Sequence, residues 1–144
     1  YYAHLQFGMP DRLFFEKEGE EISANFMFEN GFIASLESFL LQAPSRQAIE
    51  TIEDCDLLVL SKSKLDELTK SNPRFNSFSR AIAEMAFVML QRRASSFILD
   101  SPEERYQNML KEKPEILERV PQHMIASYLG ITPVSLSRIR KRIS

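Results

Sequence analysis

Few residues of this sequence could carry out chemistry. Its 144 residues include one cysteine, Cys55, and two histidines, His4 and His123. These residues could not complete a structural zinc site without several added carboxylates, and they cannot hold a cysteine-ligated iron–sulfur cluster. We therefore expect no metal site. A lone cysteine forms no internal disulfide, which fits a reducing compartment, and we interpret Cys55 as a small buried residue in a strand.

Acidic residues lie close together at Glu50, Glu53 and Asp54. Neighbouring carboxylates can serve in acid–base catalysis, but no Ser/His/Asp set or metal-ligand pattern accompanies them. The chain has four glycines, which leaves little room for a loop that cradles phosphates. We therefore predict that the protein is not an enzyme and that these acids form a solvated turn.

Basic residues are concentrated at the C-terminal end. No acid follows Glu118, whereas Arg138, Arg140, Lys141 and Arg142 lie close to the last residue. The whole chain has a net charge of -2, so charge is polarised along the sequence. Such polarity is typical of a nucleic-acid-binding end, but a helix C-terminus also favours cations through its dipole. Charge alone does not separate these two interpretations.

The spacing of proline, glycine and threonine near this end predicts two helices joined by a short turn. Pro121 begins a helix that we expect to end near Leu129, and Gly130 then allows a left-handed turn. Thr132 is a good N-cap, and Pro133 suits the first position of a second helix. The order of helix, glycine turn and helix is that of a helix-turn-helix unit.

The two predicted helices have an apolar inner side and a polar outer side. The inner side is formed by Ile125, Ala126, Leu129, Ile131, Leu136 and Ile139. The outer side of the second helix carries Val134, Ser135, Ser137, Arg138, Lys141 and Arg142. Such a helix can enter a DNA major groove, with an arginine against a guanine edge and hydroxyls and cations on phosphates. The alternative is an ordinary helical hairpin with a basic exposed side, and the combined pattern favours DNA binding.

A long helix is predicted to begin at Pro73 and to run to about residue 99. The segment has no glycine and no internal proline, and it would be about 40 Å long at about 1.5 Å per residue. Its apolar residues form two stripes, one of Phe75, Phe78, Ile82, Met85 and Met89, the other of Ala83, Phe87, Leu90, Ala94 and Phe97. One domain needs one stripe, so the second favours a dimer seam. The alternative is a central helix buried on both sides within a monomer.

The first half of the chain predicts strands. Apolar runs flank the turn at Gly19, which indicates a hairpin, and two short strands flank Glu53-Asp54. We expect Ile49 and Ile52 to face a core and the run from Leu57 to Leu60 to be buried.

Two further helices are predicted from local signals. A short one lies within residues 62–73, where Leu65 and Leu68 have helical spacing. The other begins at the Ser101-Pro102 cap and ends before Pro114, which cannot continue a helix.

The stretch IASYLGITPVSLSRIRK, residues 125–141, resembles the Crp–Fnr family of bacterial transcription regulators, and most of all its members from the Bacteroidetes. The resemblance implies an α+β fold with a cyclic-nucleotide-binding-like β-roll over residues 1–72 and a dimerisation helix over 73–99. A winged helix-turn-helix DNA-binding domain would follow over residues 100–144. We expect the N-terminus of the roll to be incomplete and the wing to be missing from the sequence.

The resemblance also implies roles for single residues. The positions that read bases in the family match Val134, Ser137 and Arg138, and those that contact phosphate match Gln122, His123, Thr132 and Ser135, with Lys141 and Arg142 extending the cationic face. Ser137-Arg138 matches a common Ser-Arg pair. Many members carry Glu where this chain has Val134. A glutamate accepts from a cytosine amino group, whereas valine can contact only a thymine methyl, so the family's usual half-site is not expected.

The family's nucleotide pocket holds the cyclic phosphate with a short helix and an Arg, and the ribose with a Glu. In the matching stretch, Phe32 to Cys55, the Arg falls on Ser45 and the Glu on Ser35, and Arg46 is one position away. One position along a strand moves a side chain to the opposite face. We therefore expect a degenerate effector pocket at Ser35, Leu36, Ser45 and Arg46, no cofactor, and disfavoured cyclic-nucleotide binding.

The leading prediction is a sequence-specific DNA-binding regulator that acts as a homodimer in the cytoplasm. Its partners would be a palindromic double-stranded operator and, as a further candidate, RNA polymerase. No apolar run approaches the length of a membrane span, so no membrane partner is expected. The alternative function is that of a small-molecule sensor whose ligand binding is the main activity.

Overall fold

The computed structural model describes the backbone of residues 2–8 and 11–143, with side chains from residue 12 to residue 143 except residue 55. The strands are β1 (Tyr2–Gly8), β2 (Asp11–Lys17), β3 (Glu20–Met27), β4 (Phe32–Ile33), β5 (Gln47–Thr51) and β6 (Cys55–Ser61). The helices are α1 (Leu36–Leu41), α2 (Lys62–Ser71), α3 (Pro73–Leu99), α4 (Pro102–Glu112), α5 (Ile116–Arg119), α6 (Gln122–Leu129) and α7 (Pro133–Ile143). The α+β class is confirmed. The expectations for the side chains of His4 and Cys55 lie outside the described residues.

The predicted hairpin at Gly19 is present. Strands β2 and β3 pair in antiparallel fashion, with Lys17 opposite Glu20 next to the turn. Glu18 and Gly19 have φ values of 56° and 81°. Positive φ at both central residues is what a two-residue type I′ turn requires, and its twist matches that of the flanking strands.

The strands form two antiparallel three-stranded sheets, in the orders β4-β1-β6 and β3-β2-β5. The two strands predicted around Glu53-Asp54 are β5 and β6, and they lie in different sheets. The predicted buried run was wrong, because Leu58 is 58% and Val59 49% exposed. Adjacent strand residues point to opposite faces, so both faces of β6 reach solvent at this point. Ile49 and Ile52 are half-buried, and Ile52 packs against the C-terminal core.

Helix α3 is confirmed from Pro73 to Leu99. The side-chain oxygen of Asn72 accepts from the backbone N–H groups of Arg74 and Phe75, and Pro73 occupies the first turn, so the N-terminus is capped. No residue of α3 is buried. The interpretation of α3 as a helix buried on both sides within one monomer was therefore wrong. Its exposed large apolar residues are Phe78, Met85, Phe87, Val88, Met89, Leu90, Phe97, Ile98 and Leu99.

The C-terminal helices form a compact bundle. Helix α4 begins with a capping box, in which Ser101 and Glu104 each accept from the other's backbone N–H. It ends before Pro114, as predicted, whereas the single turn α5 was not predicted. The core of the bundle consists of Phe26, Tyr106, Met109, Ile116, Val120, Ile125, Ala126, Leu129, Leu136 and Ile139. Phe26 comes from β3, so the roll contributes one ring to this core.

Candidate nucleic-acid interface

Helices α6 and α7 are joined by a turn whose shape Gly130 provides. Gly130 has a φ of 69°, and the N–H of Ile131 donates to the carbonyl of Ala126 at 3.0 Å. This is the hydrogen bond of a Schellman motif, which ends α6 sharply. Thr132 then caps α7, because its hydroxyl accepts from the N–H of Ser135 at 3.2 Å. The predicted helix, turn and cap all lie where the spacing placed them.

The inner side of α7 is anchored in the bundle core. Leu136 is 0% and Ile139 4% exposed, and they pack with the buried residues Ile125, Ala126 and Leu129 of α6. Because these anchors fix the rotation of α7, its opposite side is turned to solvent. The predicted inner and outer sides are therefore assigned correctly by the sequence pattern.

The three predicted base-reading residues share the outer side of α7. Val134 is 61% exposed, and Ser137 and Arg138 are exposed one turn later. Residues three and four positions apart lie on one helix face, so the three side chains form one surface. No carboxylate among the described residues pairs with Arg138. The guanidinium can therefore serve a partner outside the chain.

The start of α6 lies beside the middle of α7. Gln122 and His123 are exposed at the N-terminus of α6, where backbone N–H groups lack intrahelical acceptors. A shallow cleft of about 440 Å³ is lined by Gln122, Ser137, Arg140 and Lys141. The structure thus brings predicted residues of both helices together. Arg140 was missing from the predicted site, although its position three residues after Ser137 was a sequence signal for it.

Three members of the predicted set have partners inside the protein. The hydroxyls of Thr132 and Ser135 are 3.0 Å apart and hydrogen-bonded to each other, and Ser135 is half-buried. Arg142 forms an exposed ion pair with Glu103 at 3.4 Å. Surface ion pairs of this kind are weak, so Arg142 can exchange its carboxylate for a phosphate. Arg142 faces outward as predicted, and the ion pair with α4 is an addition that the local sequence does not show.

The bundle is attached to the edge of a sheet. Strand β3 is an edge strand, with a bulge at Ala24, since Leu13 pairs with Asn25 but Phe14 pairs with Ser23. Beside this bulge, the hydroxyl of Ser127 in α6 accepts from the N–H of Ser23 at 3.0 Å and donates to the carbonyl of Glu21 at 3.2 Å. The Ser127 side chain thus satisfies one N–H and one carbonyl on the unpaired edge of β3.

Two cations continue this attachment. Lys113 Nζ donates to the carbonyl of Phe26 at 2.6 Å and to Asn25 Oδ1 at 3.2 Å, and burial lowers the pKa of Lys113 to about 8. Arg119 lies 2.6 Å from a carboxylate oxygen of Glu29, and its hydrogen bond lowers the pKa of that carboxyl. The bundle and the roll are therefore joined by directed polar contacts as well as by Phe26.

The predicted effector residues lie around α1. Ser35 and Leu36 are half-buried at the start of this six-residue helix, and no side chain caps it. Ser45 is exposed and its hydroxyl donates to the carbonyl of Gln47 at 2.7 Å. Arg46 is exposed in a bend before β5, so the argument that it lies on the opposite face of a strand does not hold. The four residues lie in two segments, one at the start of α1 and one before β5.

The described part of the chain shows neither a metal-binding cluster nor a membrane-spanning helix. Within those residues, no group of three or more His, Cys, Asp or Glu side chains could hold a metal ion. No helix there is long and apolar enough to cross a membrane. The surface formed by the start of α6 and the cationic outer side of α7 is the candidate functional site.

Three solved structures are similar to this chain over almost its whole length. FixK2 from Bradyrhizobium japonicum has a TM-score of 0.79 at 15% identity, with 99% of this chain and 74% of that chain covered. The c-di-GMP-responsive global regulator CLP from Xanthomonas campestris has a TM-score of 0.72 at 17% identity, with 99% and 76% covered. A protein from Eubacterium rectale assigned to the Crp/Fnr family of transcriptional regulators has a TM-score of 0.72 at 17% identity, with 97% and 68% covered.

These structural neighbours are regulators of the Crp/Fnr type, and they share with this chain a fold of antiparallel sheets, a long helix and a C-terminal helical bundle. The predicted fold class is thereby confirmed. The sequence itself matches no protein-family model and no curated protein.

Proposed function

We propose that this chain is a transcriptional regulator of the Crp–Fnr type that binds DNA sequence-specifically as a homodimer in the cytoplasm. The observation that carries the proposal is the outer side of α7, which is exposed and cationic while Leu136 and Ile139 anchor the helix from behind. A helix held in this way can enter the major groove as a rigid body.

The residues proposed to read bases lie between the N-terminus and the middle of α7. Arg138 can donate two hydrogen bonds to a guanine edge, and Ser137 lies next to it on the exposed side. Val134 is apolar and 61% exposed, which suits a thymine methyl group. The operator half-site should therefore contain a guanine and a thymine at neighbouring positions.

Phosphate contacts come from the surface around these residues. Gln122 and His123 lie at the N-terminus of α6, where the helix dipole favours an anion. Arg140 and Lys141 line the cleft that adjoins Gln122. Thr132, Ser135 and Arg142 complete the predicted set after their internal hydrogen bonds and ion pair rearrange. This sequence-independent part of the binding should weaken steeply with salt.

The homodimer is proposed to form along α3. This helix is about 40 Å long, and its large apolar side chains remain exposed on more than one side. A patch of this kind on a soluble chain marks an interface, and a second α3 is its natural complement. The α7 helices of the two protomers would then contact two half-sites on a palindromic operator. The distance between the half-sites would be about 34 Å or a multiple of that distance.

The roll is proposed to hold a degenerate effector pocket and no enzyme centre. The hydroxyl of Ser45, where the resemblance places the Arg, donates to the carbonyl of Gln47. Ser35, where it places the Glu, is also uncharged, so this pair of residues cannot neutralise a cyclic phosphate or bind a ribose as Arg and Glu would. Arg46 is exposed in a bend next to this position. RNA polymerase remains a candidate partner of the DNA-bound dimer.

Selection of bound sequences from random duplex DNA tests the proposal. The full chain should enrich a palindromic consensus, with log affinity falling linearly with log salt concentration. The variant Arg138→Ala should cost about 1–3 kcal/mol on the selected site and relax the preference at the guanine position. Arg74→Ala, which removes an exposed cation at the start of α3, is the matched control and should leave the consensus unchanged.

A second substitution tests the base assignment itself. Val134→Glu restores an acceptor where the chain has an apolar side chain, so the selected sequence should change from thymine to cytosine-containing pairs at that position. If the wild-type chain enriches no sequence, DNA recognition is wrong. If cyclic nucleotides then bind tightly in calorimetry, the small-molecule sensor becomes the better description.

A further inference from the structure

The C-terminus of α6 is capped by arginines from two other helices. Arg93 of α3 donates from Nη2 to the carbonyl of Tyr128 at 2.7 Å. Arg105 of α4 donates from Nε to the carbonyl of Leu129 at 3.1 Å. The last carbonyls of a helix lack intrahelical donors and carry the negative end of its dipole. Both guanidiniums therefore stabilise the end of the first helix of the helix-turn-helix unit.

One aromatic ring, that of Phe97, contacts both guanidiniums. The Cζ atoms of Arg93 and Arg105 are each 4.9 Å from the centroid of the Phe97 ring. The same ring packs against the turn, because a Cβ atom added at Gly130 would lie 2.8 Å from Phe97 Cε1. The end of α3 thus touches the turn between the two DNA-binding helices directly.

Arg93 is a costly residue to place here. It is half-buried, partial burial lowers the pKa of its guanidinium, and none of the described carboxylates pairs with it. Its charge is compensated by the Tyr128 carbonyl and by the Tyr128 ring, whose centroid is 3.9 Å from Arg93 Cζ. A side-chain hydrogen bond with Tyr128 also favours the charged form of Arg93. These interactions give direction to the contact, since the hydrogen bonds are lost when Tyr128 turns away.

The covalent connection between α3 and the bundle is short and would by itself allow rotation. Only Asp100 and Ser101 separate α3 from α4. Arg105 also donates from Nη1 to the carbonyl of Asp100 at 2.7 Å, which holds this connection. The three hydrogen bonds together hold α3 and the helix-turn-helix unit in the relative orientation seen in the structure.

We propose that Arg93, Phe97 and Arg105, here called the arginine clamp, set the angle between the dimerisation helix and the DNA-binding helices and thereby the half-site spacing that the dimer accepts. The inference rests on the proposed function. In a dimer joined along α3, this angle decides how far apart the two recognition helices lie. The clamp residues touch no DNA and are positioning residues.

The test uses the full chain and a series of palindromic duplexes in which the selected half-sites are moved apart or together by single base pairs, together with a duplex that carries one half-site. Wild type should show a sharp optimum of spacing. Arg93→Ala should lose about tenfold in affinity at the optimum, as expected for one charge-assisted hydrogen bond, and bind the other spacings almost equally well. Its affinity for the single half-site should stay at the wild-type value.

The control is Arg92→Ala, which removes an equal charge from an exposed neighbour on α3 and should keep the sharp optimum. Phe97→Leu keeps the apolar bulk but removes the aromatic ring that contacts both guanidiniums, and it should broaden the optimum as well. Circular dichroism would show whether Arg93→Ala folds. If it does not fold, Phe97→Leu still tests whether the arginine clamp sets the half-site spacing.

The outcomes distinguish a failure of the proposed function from a failure of the arginine clamp. If wild type selects no duplex, the proposed function fails. If wild type has a spacing optimum and both clamp variants keep it, the clamp is overturned while the function stands. An equal loss on the single half-site and on the palindrome would also overturn it, because that result indicates a merely structural role.

Discussion

The C-terminal bundle and the N-terminal roll are stabilised in different ways. Among the described side chains, every buried hydrophobic residue belongs to the bundle except Phe26, Ile33 and Phe39, and Phe26 packs into the bundle core. The roll instead buries Arg12, which is 1% exposed and donates to Ser23 at 2.9 Å and Glu21 at 2.6 Å. The difference teaches that the candidate DNA surface lies on the part of the molecule that holds most of the buried apolar side chains. The roll gains support by attaching β3 to the bundle.

Removing a core side chain from the bundle gives the largest expected effect. Leu136→Ala should lower the free energy of unfolding by about 2–5 kcal/mol, since it leaves a cavity behind α7. Leu58→Ala in the roll should change it by less than about 0.5 kcal/mol, because Leu58 is already 58% exposed. Urea unfolding of both variants measures the contrast. Equal losses would mean that a second copy or another layer covers Leu58 in solution.

The two turns offer a second contrast. Gly130→Ala should cost about 2–3 kcal/mol, because alanine is strained at a φ of 69° and its Cβ would meet Phe97. Gly19→Ala in the roll should cost only about 1 kcal/mol, since its φ of 81° is equally unfavourable but no atom lies within 4 Å. Thermal unfolding would compare them. A smaller loss at Gly130 than at Gly19 contradicts the packing of Phe97 on the turn.

The attachment between the two regions should depend on pH through Lys113. Its folded pKa of about 8 lies below the ordinary value of 10.5, so between these values the unfolded chain holds a proton that the folded chain has lost. Raising the pH from 8 to 10 should therefore stabilise wild type by about 1–2 kcal/mol relative to Lys113→Met. Below pH 8 both states are protonated and this dependence ends.

Lys111→Met, at an exposed lysine of α4, is the control for the change in net charge and should follow wild type. Denaturant unfolding over this pH range provides the measurement. Parallel curves for wild type and Lys113→Met would show that Lys113 is solvated and does not hold the bundle on β3.

The smallest effect is expected from a nucleotide added to the roll. Millimolar cyclic AMP or cyclic GMP should leave the melting temperature of the full chain unchanged, because Ser45 and Arg46 supply no buried cation for the phosphate. A shift of several degrees would contradict the degenerate pocket. The roll, like the bundle, would then carry a functional site.

The sequence by itself determined the parts that depend on neighbouring residues. The caps at Asn72, Ser101 and Thr132 and the glycines at 19 and 130 fixed where α3, α4, α7 and the hairpin begin or turn. The spacing of apolar residues determined which side of α7 is anchored. These signals act over a few residues, through hydrogen bonds and backbone sterics that the chain carries locally.

Only the tertiary structure decided what covers each surface. It placed β5 and β6 in separate sheets, left Leu58 and Val59 exposed, turned Arg142 toward Glu103 and joined Arg93 to the end of α6. Such contacts link residues far apart in sequence. A side chain is equally apolar or charged whether or not a partner packs against it, so its residue type does not reveal the contact. The physical reason is that burial and pairing depend on the layer that packs opposite, which local sequence does not specify.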